Sequence, residues 1–236
     1  MTGLESAFPI FEWDWLSFML QTSDALFPIG GYAHSFGFEE TVRLGLVWDE
    51  VSLGRFLLEQ ICPAQRYHEL PYLRFAYEAE TMAVRCAIDA EISGWKLARE
   101  AREASLKMGS RRLIALQNIH AAQILREFSE VISGGLAQGH HLVVLGLQSR
   151  VAGVPLVASL VAYFYQAVAS ICAASLKLIR IGQDGVQRVL QVALKETQQV
   201  VGGSLLVERA SAGWFNPLLE IAAMRHERAE ERLFIS

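Results

Sequence analysis

Charge is scarce in this chain. Asp, Glu, Lys and Arg make up 19% of its 236 residues and apolar residues 52%; an average soluble protein carries about 25% charged residues. So apolar a composition excludes intrinsic disorder, which needs low hydrophobicity and high net charge. The length leaves one large domain or two small ones open, and a chain of this size can bury a sizeable core. Basic residues are also few: 21 Lys and Arg face 25 Asp and Glu, a formal charge of −4. No Lys/Arg cluster marks a nucleic-acid stripe. Cysteine is limited to Cys62, Cys86 and Cys172, with no CxxC pair. Neither a disulfide framework nor a zinc ribbon is therefore encoded, and a reducing, cytoplasmic setting is expected. Glu5, Glu12 and Asp14 interrupt any apolar stretch near the start, so no signal peptide is expected. GxSxG, GxxxxGK[ST], GxGxxG and HExxH are all missing, and with them the common nucleophile, phosphate and zinc signatures.

What is present is helical patterning. Asp49 can cap a helix through Val51, Leu53, Phe56, Leu57 and Ile61, ending before Pro63. A helix is expected from Trp95 to Met108, with Glu103 and Lys107 four apart. Asp184 can cap the next, with Gln187 completing a capping box. Its apolar residues Val186, Val189, Leu190, Ala193 and Leu194 fall on one face. Asn216 before Pro217 reads as an N-cap with proline at the first helical position. Loops are expected over Phe27–Gly31, Gly134–Gly139, Gly182–Gly185 and Gly202–Asn216. No hairpin signal or internal repeat divides the chain. The reading is one all-α domain over 13–224, a loosely held arm over 1–12 and a terminal tail over 225–236.

Between Val151 and Leu176 there is no charge at all, and between Val131 and Leu176 only Arg150. Such a run raises a transmembrane reading on length and content. Pro155, Ser159, Gln166, Ser170 and Ser175 lie within it, and Gly139, His140, His141 and Gly146 just before it. These residues favour a long central helix buried on all sides, in a large core or at a subunit interface.

Candidate chemistry is thin. Adjacent His140 and His141 point to different sides of a helix and make no chelate alone. His226 and Glu230, four apart, supply at most two of the three or four ligands a metal needs, and read better as a solvated charged face. Three segments do stand out. Residues 23–40 crowd Pro28, Gly30, Gly31 and Gly37 among Phe27, Tyr32, Phe36 and Phe38, a mixture that serves an aromatic core loop or an interface equally well. Residues 139–146 carry glycines that permit close helix approach. The third is the tail: Arg225–Arg232 holds six charges in eight residues, then Leu233, Phe234, Ile235 and Ser236 follow. An apolar trio after a charged run is poorly placed for its own core, and the expectation is a terminus that orders on a partner.

Together these segments resemble the urease accessory protein UreF family. Its amino-terminal signature is similar at Pro28, Gly30, Ser35, Gly37 and Glu39, with Asp24, Tyr32 and Phe38 where proline, phenylalanine and leucine are common. Its Gly-His-x-x-Val-x-x-Gly pattern is matched by Gly139, His140, Val143 and Gly146. Met108-Gly109-Ser110-Arg111 and Gly182-Gln183-Asp184-Gly185-Val186-Gln187 resemble two further motifs. Its tail is matched by Arg232, Leu233, Phe234 and Ser236, with Glu230 and Glu231 replacing a Tyr-Ser pair. The resemblance is collinear over nearly the whole chain after residue 15. It implies an all-α bundle without catalytic activity that forms a homodimer. It implies partner contacts at Pro28, Gly30, Gly31, Tyr32, Ser35, Gly37 and Glu39 and at Arg232, Leu233, Phe234 and Ser236. The implied partners are UreH (also called UreD), the GTPase UreG and apo-urease, with nickel and GTP held by partners and no cofactor bound directly. Competing classes are a helical metal-dependent enzyme using His140, His141 and His226, and a membrane-associated helical protein.

Overall fold

The computed structural model describes residues 14–30, 37–120 and 122–235; the expected arm over 1–12 lies outside them. In chain order the helices are α1 (Asp14–Ser23), α2 (Phe38–Arg43), α3 (Glu50–Phe56), α4 (Cys62–Ala64), α5 (Leu70–Glu78), α6 (Met82–Trp95), α7 (Arg99–Ile119), α8 (Gln123–Ser133), α9 (His141–Val151), α10 (Leu156–Leu178), α11 (Gln183–Leu194), α12 (Thr197–Ser204) and α13 (Pro217–His226). No strand occurs among the described residues, and the all-α, single-domain expectation holds.

Local signals explain several boundaries. The Asp49 carboxylate accepts from the Ser52 N–H at 2.8 Å, and Ser52 Oγ accepts from the Asp49 N–H at 3.0 Å. This reciprocal pair satisfies donors that an α-helix start leaves orphaned. Asn216 caps α13 through the Leu219 N–H at 3.3 Å, with Pro217 in the first turn. On α11, Val186, Val189, Leu190 and Ala193 are buried as their spacing requires.

Three expectations about boundaries are corrected. Pro63 does not end its helix. The chain stays helical from Glu50 to Glu78, with π-helical segments at Leu57–Ile61 and Gln65–Glu69, each just before a proline, Pro63 and Pro71. Proline lacks an N–H and its ring strikes the carbonyl four residues back; the wider π turn relaxes both constraints. Trp95 ends α6 rather than opening the next helix, and its indole N–H donates to the Tyr72 hydroxyl at 2.9 Å. Asp184 lies in the first turn of α11, where the N-cap is Gly182 and no side chain caps.

The uncharged run divides into two different helices. In α9 every residue from His141 to Ser149 is buried, so α9 is the central helix. A β-carbon placed on Gly146 would lie 2.8 Å from Ala76 Cβ and 2.8 Å from the Tyr77 nitrogen, so the glycine sets how closely α9 approaches α5. One placed on Gly109 in α7 would lie 2.0 Å from the Gly139 carbonyl oxygen. The longer α10 is not buried on all sides, which corrects the expected central helix. A third of its most apolar stretch is buried, and it is long and apolar enough to cross a membrane by length and composition. Leu160, Phe164, Val168 and Ile171 enter the core, whereas Val157, Val161 and Tyr165 stand exposed along the opposite side. Its buried face packs on α5, α11 and α12 and on α1.

These contacts predict a contrast between two glycines. Gly146→Ala should lower stability by about 1–3 kcal/mol through overpacking. Gly94→Ala, in α6 with nothing within 4 Å of a new β-carbon, should raise it by roughly 0.5–1 kcal/mol. Urea midpoints of the two variants check this, and equal midpoints would defeat the close-approach account.

Candidate functional site

The end of the glycine-aromatic segment and the tail, far apart in sequence, meet at Glu39. Phe27 is buried, and the Arg112 guanidinium lies 5.1 Å from its ring centroid. Pro28 is exposed and Gly30 buried against Arg111; Gly31, Tyr32 and Ser35 lie outside the described residues. Gly37 has φ +84°, a left-handed conformation that favours glycine, and a β-carbon there would lie 3.2 Å from the Ala223 nitrogen. The chain therefore turns into α2 tight against α13. That places Glu39 in the first turn of α2 and facing the tail.

Glu39 receives the tail backbone directly. The Leu233 N–H donates to one carboxylate oxygen at 2.9 Å and the Phe234 N–H to the other at 3.1 Å. Arg232 Nη1 donates to Glu100, at the start of α7, at 2.9 Å. His226 joins the two acids, its Nδ1 lying 2.9 Å from Glu100 and its Nε2 3.0 Å from Glu39. Each ring nitrogen faces a carboxylate oxygen. Burial acts to raise the Glu39 pKa, but hydrogen bonds from Leu233, His226 and Phe234 outweigh it and hold the carboxyl below its ordinary value. Beside it the buried Glu40 accepts from Arg225 at 2.7 Å and pairs with Arg43 at 2.8 Å.

Two sequence expectations change here. His226 and Glu230 do not form a solvated face: His226 is 1% exposed, an internal bridge. Nor does the tail lack a core to enter. Phe234 is 7% exposed and belongs to the main apolar cluster, with Lys177 Nζ 5.5 Å from its ring centroid. Leu233 and Ile235, 67% and 59% exposed, point the other way. Ser236 lies outside the described residues. Arg232, Leu233, Phe234, Gly37 and Glu39 are thus gathered in one place. Glu100 and Lys177 complete it; a lone Glu in a first turn and a lone Lys in a last turn carry no pattern by which sequence reasoning could have found them.

A second polar cluster lies under the amino-terminus of α9. Asp89 accepts from the backbone N–H groups of Gln138, Gly139 and His140 at 2.5, 3.1 and 2.7 Å. The His140 ring lies between Ser93 Oγ at 2.7 Å and Ser105 Oγ at 3.0 Å. Burial pushes the His140 pKa down to about 4, and that of His68 likewise to about 4. Glu69 pairs with Lys96 at 3.1 Å and accepts from the Tyr163 hydroxyl at 2.8 Å. Burial opposes its charge, but Lys96, His68 and Tyr163 prevail and bring the carboxyl down to about 2. Arg112, wholly buried, donates to Gln148 at 2.6 Å and to the Thr22 carbonyl at 3.2 Å, tying α1 and α9 to α7.

His140, His141 and His226 do not converge. No group of three or more His, Cys, Asp or Glu side chains able to hold a metal occurs among the described residues. The arrangement at Glu39 and Glu100 offers paired carboxylates to backbone N–H groups and a guanidinium, beside a recess for an aromatic ring. That is the chemistry of holding an extended peptide.

Comparison with known proteins agrees with the motifs. A family model described as UreF matches residues 47–194. The urease accessory protein UreF of Arthrobacter sp. (strain FB24) is 35% identical over 216 residues, covering 92% of this chain and 95% of that protein. That of Paenarthrobacter aurescens (strain TC1) is 34% identical over 216 residues, covering 92% and 96%. That of Actinobacillus pleuropneumoniae is 29% identical over 224 residues, covering 94% and 99%.

The buried titratable groups predict acid lability in two stages. His68 and His140 are held near 4 in the fold, below the ordinary 6.5. The unfolded chain therefore binds more protons between those values, and stability falls as pH drops through that window. Glu39 and Glu69, both lowered, stabilise above the ordinary carboxylate range of about 4.3 and lose that contribution below it. Urea midpoints should therefore decline from pH 7.5 to 5 and more steeply below. A flat profile down to pH 5 would contradict the buried, neutral histidines.

Proposed function

The chain belongs to the UreF family of urease accessory proteins, and we propose that it serves urease maturation as a non-catalytic scaffold that binds a UreH/UreD protein and recruits the GTPase UreG to apo-urease. In this reading nickel is cargo and GTP is the partner's substrate; neither is chemistry for this chain. The observation that carries the proposal is the match over 92% of the chain to relatives of that name. The site supports it, because its residues have the character of a docking surface. Glu39 and the tail, which both carry motifs of the family likeness, are in direct contact.

We further propose a homodimer in the cytoplasm. Val157, Val161 and Tyr165 form an exposed apolar row at helical spacing on α10, and a row of that kind fits the apolar core of a permanent subunit interface. Seated against a second copy, it needs no membrane.

Each part has its own measurement. Sedimentation equilibrium should show a dimer at micromolar concentration, and Val161→Glu should yield a folded monomer; a wild-type monomer would sink the interface. A chain lacking residues 232–236 should keep its helical circular dichroism and lose capture of a UreH/UreD partner and activation of urease in cells. Full activation by the truncated chain would remove the tail from the proposal. The purified protein alone should neither hydrolyse GTP nor retain stoichiometric nickel after chelation.

A further inference from the structure

The connection from α12 to α13 is fastened to the bundle at several points and still turns large apolar side chains outward. The Arg74 guanidinium donates to the Val207 carbonyl. Arg209 donates to both oxygens of Glu91, at 2.6 and 3.2 Å. The Gly213 N–H donates to the Tyr67 carbonyl at 2.8 Å. That glycine, at φ +147°, lies against the Trp95 indole, where a β-carbon would fall 2.2 Å from Cζ2. Asn216 donates to Gln60 at 2.8 Å. In the loop so held, Leu206 is 83% and Phe215 58% exposed, with Trp214 and Tyr67 half-buried at its edge. Apolar groups exposed together on a fastened loop are anchors whose ordering cost is already met.

Arg66 stands among these groups. Its guanidinium carbon lies 5.1 Å from the Tyr67 ring centroid, and that ring stacks on Trp214 at 5.7 Å and 22°. Gly203 of α12 makes the room, since a β-carbon there would fall 2.3 Å from Arg66 Nε. The Leu206 N–H donates to the carbonyl of the same glycine at 3.2 Å, which ties Leu206 to this spot. Arg66 Nε is enclosed without a partner, while the two Nη nitrogens stay open and are met by no acceptor among the described residues. Arg74 and Arg209 nearby are both engaged. We propose that Arg66, Tyr67, Leu206, Trp214 and Phe215 form a docking surface for an extended segment of a partner protein that carries one carboxylate between apolar side chains. A planar guanidinium with two open donors matches a carboxylate, and Trp, Tyr and Arg are the residue types that dominate protein contacts. One open cation whose neighbours are already answered suits a single carboxylate and not a nucleic-acid backbone, which takes several. The surface shares no residue with the tail contact or with the exposed row on α10, and does not rest on the proposed role in urease maturation.

Three blocked peptides probe the surface: acetyl-Ser-Leu-Phe-Glu-Leu-Ser-Ser-amide and its counterparts with Gln or Lys in place of Glu. Each is titrated into the full chain while the Trp214 indole N–H, assigned by its loss in Trp214→Phe, is followed by NMR. The Glu peptide should shift that signal with a dissociation constant of roughly 1 mM or below. On the wild-type chain the Gln peptide should bind about tenfold more weakly, and the Lys peptide more weakly still. Arg66→Gln should weaken the Glu peptide by the same factor and leave the Gln peptide unchanged, and Arg66→Glu should reverse the preference toward the Lys peptide. Phe215→Ser should weaken all three by about threefold or more, and circular dichroism should show each variant folded. The comparison of the peptides on the wild-type chain needs no variant: equal affinities, or no shift up to about 10 mM, would overturn the proposal. So would a short oligothymidylate that shifts Trp214 at lower concentration than the Glu peptide, which would assign the surface to nucleic acid. Benzoylphenylalanine in place of Phe215, irradiated in cells, reads the natural occupant. A crosslink mapped by mass spectrometry to a segment with a carboxylate between apolar residues of another protein is the expected result. A crosslink to a second copy of this chain, or to a segment without an acid, would defeat the stated partner.

Discussion

The packing of the whole bundle depends on how one buried helix end is satisfied. The amino-terminus of α9 sits in the interior, where its free N–H groups cannot reach water, and leaving them unpaired is costly. Asp89, reaching across from α6, accepts three backbone N–H groups there with one carboxylate and sets a negative charge at the positive end of the helix dipole. With that end satisfied, α9 can be apolar along its flanks and still lie at the centre. The glycines then decide how near its neighbours come: Gly109 and Gly139 where α7 meets its entry, Gly146 where α5 crosses it. Gly139 also has φ +82°, which lets the chain turn into the helix under Ile132. The family's Gly-His-x-x-Val-x-x-Gly pattern is in physical terms an approach path for two helices and a capped terminus.

The other motifs connect to that centre in sequence. Arg111 and Arg112, beside Met108 and Gly109, receive Gly30 and Phe27 of the signature loop. Gly37 brings α2 against α13, and Glu39 meets the tail. A line of close contacts therefore runs from the middle of the core to the surface proposed for partners. Residues that look like separate short motifs are successive steps in one packed structure.

Helix class, the capped starts at Asp49 and Asn216 and the buried face of α11 were legible because each rests on local chemistry: side-chain caps and a 3.6-residue period. The continuation through Pro63 was not, because a π turn leaves no composition signal. The charge-free run was read as one buried helix because hydropathy cannot tell a helix enclosed by its own chain from one with a bare apolar side. At the site, the likeness drew attention to Glu39 and the tail, but their contact spans almost 200 positions and no periodicity encodes it. His226 was misread for a related reason. Its sequence neighbours are charged and exposed, while its partners Glu39 and Glu100 come from elsewhere in the chain. Buried Arg112 is likewise explained by Gln148 and Thr22, whose partnership exists only after folding.

The paired π segments have a consequence for how the long first rod of the bundle is aimed. A residue advances an α-helix by about 100°, and each π turn absorbs roughly one extra residue in a turn. Two of them between Glu50 and Glu78 therefore rotate the far end relative to the near one by an amount a regular helix of equal length would not. The near end packs on α11 and the far end on α9, so the rod faces two neighbours in different directions without a loop between them. Removing a single residue within 57–69 would keep the rod helical and its composition unchanged, yet turn Leu73 and Ala76 away from the groove they now fill. In that stretch residue count, more than residue identity, sets the direction in which the core is built.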